Sequence, residues 1–207
     1  MNLSQFETAF RNHIPTLQQS SSQYAVLVPL VSLPDGPALL YEVRSDRLQH
    51  HPREICFPGG KLEAEETVTD CALRETYEEL RIPSETIRII GELDFIHLRS
   101  EALLCPVLAQ ISPDGLAAIR CQGAEVSRTL LIPVEELRSH PPKRYRYPLR
   151  CDVGIDFPYK KLGISPDYPW HDGVMEVPVY ENLPYPLWGL TARITYWLLH
   201  EAEKQQH

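Results

Sequence analysis

Three glutamates, Glu75, Glu78 and Glu79, lie close together in one predicted helix that spans about Glu66 to Leu80. Residues spaced i, i+3 and i+4 project from one face of a helix. This face is unfavourable for stability, because Glu75 and Glu79 repel each other and the acids crowd the negative end of the helix dipole. A hard divalent cation would offset the repulsion, since Mg²⁺ binds carboxylate oxygens and completes its shell with water and phosphate. A solvated acidic surface is the alternative interpretation.

Features on either side of the three glutamates favour the metal-binding interpretation. Gly59 and Gly60 precede the helix, and glycine lets the backbone approach a ligand closely. Glu66 follows Gly60 by six residues. Arg74 stands four residues before Glu78, so its guanidinium can pair with that carboxylate and hold it in place. The helical period predicts that the buried stripe consists of Leu73, Thr76, Tyr77 and Leu80.

Taken together, residues 60–82 resemble the Nudix box, written Gly-x5-Glu-x7-Arg-Glu-U-x-Glu-Glu-x-Gly-U with U a bulky apolar residue. The fixed positions that match are Gly60, Glu66, Arg74, Glu75, Glu78, Glu79 and Ile82. Thr76 stands in place of the apolar residue, and Arg81 in place of the glycine that ends the helix. A left-handed residue other than glycine costs on the order of 1 kcal/mol, which a folded domain can absorb. Neither departure falls on a position that carries chemistry.

Two further segments resemble one branch of this family, the coenzyme A diphosphatases. Residues 39–60 resemble the extended motif that precedes the box in that branch, except that Arg53 stands where glycine is usual. Residues 187–194 resemble its C-terminal segment. By this resemblance Arg44 and His51 are candidate substrate contacts, although composition alone favours exposed loop histidines. The resemblance places substrate choice in these segments, outside the box.

The resemblance implies a fold and a reaction. The fold is expected to be α/β (α+β), a Nudix-type α/β/α sandwich with a mixed β-sheet. The reaction is expected to be hydrolysis of the pyrophosphate bond of coenzyme A or an acyl-CoA, dependent on Mg²⁺ or Mn²⁺. Its products would be 3′-phosphoadenosine 5′-phosphate and 4′-phosphopantetheine or its acyl form.

The same resemblance assigns roles to individual residues. Glu75, Glu78 and Glu79 would hold the metal ion, with Arg74 orienting their carboxylates and Glu75 as a candidate general base. Gly59 and Gly60 would bring the backbone close to the diphosphate. Residues 125–137 resemble a further passage of the subfamily, which makes Glu125 a candidate additional metal ligand; whether Glu125 or Glu101 joins the site stays open.

Two other functions are compatible with these residues. The first is the same chemistry on another nucleoside diphosphate derivative, such as an ADP-sugar, NADH or a damaged nucleotide. The second is a Nudix-like sensor that binds nucleotides without turnover. Three intact glutamates disfavour the sensor, because a pure binder does not need a set of residues that activates a metal-bound water.

A basic aromatic cluster follows at Lys143, Arg144 and Arg146, interleaved with Tyr145 and Tyr147. Its residue types suit contacts to a phosphate, and the adenosine 3′-phosphate of coenzyme A is the expected partner. An ordinary exposed turn and strand is an equally weighted alternative.

The composition limits the classes of protein that are compatible with this sequence. The 207 residues, 43% of them hydrophobic, suit a single domain over residues 1–207. A net charge of -8 argues against a nucleic-acid binder and leaves a small-molecule substrate. Five scattered cysteines, no signal-like N-terminus and no long apolar run predict a cytoplasmic protein with no membrane segment. A homodimer is compatible with the sequence, which does not determine the oligomeric state.

The remaining elements are read from periodicity and turn residues. A short N-terminal helix and linker are predicted in about residues 1–23, and a C-terminal helix in about residues 187–203 with Leu190, Ile194, Trp197 and Leu198 on its core face. Residues 112–115 are predicted to form a turn. Strands are predicted at residues 24–32, 38–44, 86–98, 103–111, 131–132 and 174–179.

Overall fold

The computed structural model describes residues 3–12, 22–154 and 156–205. The strands are β1 (Ser22–Leu33), β2 (Gly36–Arg44), β3 (Ile55–Cys56), β4 (Gly59–Lys61), β5 (Ile87–Glu92), β6 (Ile96–His97), β7 (Ala102–Ile111), β8 (Val126–Pro133), β9 (Lys143–Leu149), β10 (Gly173–Tyr180) and β11 (Leu187–Trp188). The helices are α1 (Leu3–Phe10), α2 (Val68–Leu80), α3 (Pro113–Ala118), α4 (Val134–Ser139), α5 (Tyr159–Leu162) and α6 (Gly189–Lys204), with a 3₁₀ turn at Ser84–Thr86.

The main sheet is mixed. Its central path runs β3-β2-β1-β7-β5, and β4, β6 and β8 pair with β1, β7 and β2. Strands β1 and β7 are parallel, and the other pairs in this sheet are antiparallel. A smaller antiparallel sheet has the order β11-β10-β9.

Helices cover both faces of the main sheet. Ala25 and Leu27 of β1 pack with Cys71 and Ala72 of α2. On the opposite face of β1, Val28 belongs to the same apolar cluster as residues of α6. Because side chains alternate along a strand, one strand supplies both layers. The prediction of an α/β/α sandwich with a mixed sheet is therefore confirmed.

Strands β1 and β2 pair only near their shared turn, at residues 30–33 with 36–39, and separate further along. The segment from β3 to β4 fills the resulting gap: β4 pairs with β1, and β3 pairs with β2. The backbone N–H of Leu27 donates to the carbonyl oxygen of Pro58 at 2.9 Å, which holds the middle of this segment. Gly59 and Gly60 are thus fixed against the central strand.

Helix α2 begins and ends as its residues dictate. The side chain of Thr67 accepts a hydrogen bond from the backbone N–H of Asp70 and caps the first turn. Arg81 adopts the left-handed conformation at the C-terminus, with φ of 60°, at the position where the box has glycine. Its guanidinium lies 5.4 Å from the centre of the Tyr77 ring.

The predicted buried stripe of α2 is wrong in part. Tyr77 is 49% exposed and Leu73 only half-buried, whereas Cys71, Ala72, Thr76, Glu79 and Leu80 are buried. The helix is rotated so that Glu79, 4% exposed, points inward. A hydrophobicity pattern cannot predict this rotation, because it assigns a glutamate to the solvent side.

Two threonines of helix α6 form hydrogen bonds that hold it against the main sheet. Thr191 donates to the carbonyl oxygen of Ile55 at 3.0 Å, and Thr195 shares a 2.9 Å hydrogen bond with the hydroxyl of buried Tyr41. The prediction that Leu190 packs in the core is wrong, since it is 44% exposed. Ile194 is buried as predicted, and Trp197 and Leu198 are half-buried.

Two local predictions are also revised. Residues 112–115 start a helix rather than form an isolated turn, since Ser112 caps α3 by accepting from the N–H of Gly115. The N-terminal helix ends at Phe10, and residues 13–21 of the predicted linker lie outside the described residues. In the described part of the chain, no helix combines the length and apolar character needed to cross a membrane.

Gly59→Ala is expected to destabilise the fold by about 1–3 kcal/mol, through overpacking. A Cβ atom there would lie 2.2 Å from the carbonyl oxygen of Ala25 and 2.6 Å from Cα of Val26, both in the backbone of central strand β1. Urea denaturation measures the change. The control is Gly91→Ala, where nothing lies within 4 Å of the added atom. Equal loss of stability in the two variants would contradict this explanation.

Candidate active site

Arg74 is the centre of the polar network on α2. Its guanidinium donates two hydrogen bonds to Glu66, from Nε at 2.8 Å and from Nη2 at 3.0 Å. Nη1 donates to Glu75 at 2.8 Å, and more weakly to Glu78 at 3.4 Å. The pairing of Arg74 with Glu78 is present as the sequence predicts, but Glu66 is the stronger partner. Arg74 lowers the pKa of the Glu66 carboxyl to about 2.

Two of the three glutamates of α2 point toward the glycine segment, which consists of Gly59 and Gly60. The backbone N–H of Gly59 donates to Oε2 of Glu79 at 2.9 Å. Gly60 lies so close to Glu75 that a Cβ atom at Gly60 would stand 2.2 Å from Oε1 of that carboxylate. Glu78 is different, since its side chain is 54% exposed. The absence of a side chain at Gly60 therefore makes room for the carboxylate of Glu75, whereas at Gly59 it lets the backbone pack against β1 while its N–H binds Glu79.

The structure adds a glutamate that the sequence analysis missed. Glu42 on β2 is 1% exposed, and its Oε1 accepts a 3.1 Å hydrogen bond from the thiol of Cys56. Its other oxygen, Oε2, is buried and has no hydrogen-bond partner among the described residues. A buried unpaired carboxylate oxygen is costly unless a ligand or cation satisfies it. The available signal was one acid within the apolar run Leu39-Leu40-Tyr41-Glu42-Val43.

Glu42 and Glu79 perturb each other. Burial is the largest cause that raises the pKa of Glu42, to about 7, and of Glu79, to about 9. The charge of Glu42 adds to the rise at Glu79, and the charge of Glu125 adds to the rise at both. Each shift reflects a carboxyl group that resists ionisation without a compensating positive charge.

The two open candidates for the site lie on loops. Glu125 is exposed, directly before β8, and its carbonyl oxygen accepts from the N–H of Ser45 at 2.7 Å. Its charge contributes to the raised pKa of Glu42 and of Glu79. Glu101 lies in the turn between β6 and β7, and is exposed.

This cluster fits the demands of a hard divalent cation. It offers carboxylate oxygens, one of them buried and unpaired, at a place where two carboxyl groups resist ionisation. In the residues that the structure describes, no three His, Cys, Asp or Glu side chains are already arranged to hold an ion by themselves. A bound ion would therefore take part of its coordination from water and substrate, as Mg²⁺ commonly does.

Three adjoining cavities form a cleft, and Leu190 lines all of them. Two of the three also contact the glycine segment. The first, of about 510 Å³, is lined by Arg44, His51, Cys56 and Gly59 among others. A smaller one, of about 290 Å³, lies against both Gly59 and Gly60. The exposure of Leu190 follows from this position, because it faces the cleft rather than the core.

The predicted substrate contacts separate into two groups. Arg44 and His51 line the first cavity, and His51 Nδ1 lies 3.1 Å from Oε1 of Glu54. The basic side chains on β9, Lys143, Arg144 and Arg146, are not among the residues that line the three cavities. These side chains pair instead with acids of the neighbouring segment: Lys143 with Glu181 at 3.8 Å, and Arg144 and Arg146 with Glu176 at 4.0 and 3.3 Å.

Comparison with known proteins gives consistent results. A family profile for the NUDIX domain matches residues 21–150. The mitochondrial coenzyme A diphosphatase NUDT8 of Homo sapiens is 34% identical over 185 residues, which cover 88% of this chain and 70% of that protein. The peroxisomal coenzyme A diphosphatase NUDT7 of Mus musculus is 32% identical over 139 residues, which cover 67% of this chain and 57% of that protein.

Solved structures agree at the level of the fold. The crystal structure of a MutT/nudix family protein from Enterococcus faecalis is similar with a TM-score of 0.51, at 15% identity, over 99% of this chain and 70% of that one. The profile match covers more than half of the chain, and it includes the glycines and the glutamates of α2. The chain belongs to the NUDIX family and is a Nudix hydrolase.

Proposed function

We propose that this hydrolase cleaves the pyrophosphate bond of coenzyme A or an acyl-CoA. The observation that carries the chemistry is the acidic cluster of Glu42, Glu75 and Glu79 directly behind Gly59 and Gly60, at the wall of the cleft. The choice of substrate is supported by relatives named coenzyme A diphosphatases, one of which aligns with 88% of this chain.

Divalent metal ions are general among Nudix hydrolases, and we propose Mg²⁺ or Mn²⁺ here. The ion would neutralise phosphate oxygens and make a bound water more acidic. Glu75, Glu78 and Glu79 are the proposed ligands, with Glu125 as an additional one. Glu42 is proposed to act through Glu79, because the charge of Glu42 makes that carboxyl group harder to ionise until a cation is present.

The remaining steps depend on the protein's own side chains. Arg74 holds Oε1 of Glu75 at 2.8 Å, which leaves Oε2 as the oxygen that would accept a proton from the attacking water. Gly60, without a side chain, keeps that carboxylate accessible. Arg44 and His51 are proposed to contact the substrate in the first cavity. Each group is placed by a hydrogen bond or by a strand before substrate arrives, which favours a defined line of attack.

Product analysis tests the reaction. Incubation with coenzyme A and Mg²⁺ or Mn²⁺ should release 3′-phosphoadenosine 5′-phosphate and 4′-phosphopantetheine, with metal-free buffer as the control. Faster cleavage of an ADP-sugar, NADH or a damaged nucleotide would instead assign the same chemistry to another substrate. Binding of these nucleotides without products would indicate a sensor. A single domain, a cytoplasmic location and a homodimer stay predictions.

Glu79→Gln should lower turnover by at least about a hundredfold, because it removes a charged group from the metal-binding set. Steady-state kinetics at saturating Mg²⁺ measures this, with the exposed Glu85→Gln as the control. Near-normal turnover of the Glu79 variant would exclude this residue from the ligand set.

The same substitution should change stability in a pH-dependent way. Because the folded-state pKa of Glu79 is raised to about 9 from an ordinary value of 4.5, the folded wild type loses stability as pH rises through this interval. Metal-free Glu79→Gln should therefore gain on the order of 1 kcal/mol over the wild type at pH 9, or about 2–4 °C in Tm, and less at pH 5. Thermal unfolding at the two pH values measures the gain, and an equal difference at both would contradict the assigned shift.

Arg74→Lys should reduce turnover by about tenfold or more although the charge is kept. A lysine cannot reproduce the planar fork that bonds Glu66 twice and Glu75 once. The control is Arg138→Lys, because Arg138 also bonds two glutamates, Glu203 at 2.8 Å and Glu135 at 3.1 Å, on the surface. Equal turnover of Arg74→Lys and wild type would show that only the charge matters.

A further inference from the structure

The second cavity of the cleft is lined largely by residues that have no role in the proposed reaction. Its volume is about 500 Å³, and it lies between the turn after β6, the antiparallel pair β9 and β10, and the start of α6. Much of its wall is apolar, including Leu98, Met175 and Val177. Two arginines, Arg99 and Arg193, come to this wall from different elements. A cavity with apolar walls and paired guanidinium groups suits an anionic group attached to a flat or apolar body.

The charges of these arginines are not satisfied by acids. Arg99 donates from Nη1 to the hydroxyl of Tyr147 at 3.3 Å, and neither arginine is within 4.0 Å of a carboxylate oxygen among the described residues. Glu176 also lines this cavity, but it is paired with Arg146 and, at longer range, Arg144. Both arginines are exposed, so their guanidinium groups are available to an anionic ligand in this cavity.

The cavity is placed to receive one end of a substrate bound at the acidic cluster. It shares His51, Gly189 and Leu190 with the first cavity, and Leu98, Ser100 and Leu190 with the cavity beside Gly59. A molecule whose diphosphate lies at the glycine segment can therefore extend into it. Tyr147, 42% exposed, stands in the wall and offers a ring face to a flat base.

We propose that Arg99 and Arg193 bind a phosphate monoester on the ribose of the substrate nucleotide, and that this cavity holds the adenosine end. The inference rests on the proposed function, since coenzyme A carries a 3′-phosphate of this kind. It moves the phosphate contact from the β9 cluster expected from the sequence to Arg99 and to Arg193, which lies in the segment 187–194 where the resemblance places substrate choice. Each guanidinium supplies charge-assisted hydrogen bonds, and loss of one such bond is worth about tenfold to a hundredfold in affinity.

Binding of nucleotide fragments tests the site without turnover. Isothermal titration with adenosine 3′,5′-bisphosphate and with adenosine 5′-monophosphate gives the preference for the extra phosphate. The wild type should bind the bisphosphate at least about tenfold tighter, and Arg99→Gln/Arg193→Gln should lose most of this preference. The matched control is Arg88→Gln/Arg138→Gln, which removes the same charge from exposed residues that line none of the three cavities and should keep the preference.

The outcomes separate the inference from the function on which it rests. An unchanged preference in Arg99→Gln/Arg193→Gln, or its loss in the control, overturns the site. If thermal unfolding shows that the double variant is not folded, Arg193→Gln alone replaces it, with Arg88→Gln as its control. The ratio of kcat/KM for coenzyme A to that for dephospho-coenzyme A should fall in the same variants. Failure of the wild type to cleave either compound would overturn the proposed function, whereas the titration would still decide the phosphate site.

Discussion

The burial of Glu79 beneath the backbone of Gly59 is the interaction on which the site depends. It requires a glycine that touches central strand β1, a gap between β1 and β2 that admits the glycine segment, and a helix rotated to aim an acid inward. In a domain without a binding site, each of these features would lower the folding stability. Together they hold an acidic group in a place where its pKa is raised, and a bound cation would favour its ionised form.

Arg74 supplies the positive charge that lets this arrangement fold. Its fork holds Glu66 and reaches Glu75 as well, so the guanidinium compensates acids on the outer side of the cluster. It makes no comparable bond to Glu79, whose partner is the backbone of Gly59. The protein therefore neutralises the outer acids with its own arginine. Neither Glu42 nor Glu79 forms an ion pair among the described residues, and the charge of Arg44 only partly offsets the effect of burial on the pKa of Glu42.

Short-range pattern was enough to predict the position of α2 and the pair of Arg74 with Glu78, and the resemblance to the Nudix box implied its left-handed end at Arg81. The rotation of α2 could not be predicted, because it follows from a hydrogen bond to Gly59, twenty residues away. Glu42 was missed for a similar reason: one acid in an apolar strand has no periodic signal. The ion pairs of the β9 cluster depend on β10, thirty or more residues along the chain.

Chemistry and recognition meet on β2, which carries both Glu42 and Arg44, but otherwise they occupy largely different elements of this fold. The acidic cluster is built on β1, β2 and α2, which lie in the interior and are braced by the main sheet. The cavities that would distinguish substrates are walled by the smaller sheet, the turn after β6 and the first turn of α6. Leu190 lies where the cavities adjoin. Its helix, α6, is held against β3 by the hydrogen bond from Thr191 to the carbonyl oxygen of Ile55. A change of substrate preference can therefore arise in the outer walls without disturbing the carboxylates, since the two sets share the glycine segment but few side chains.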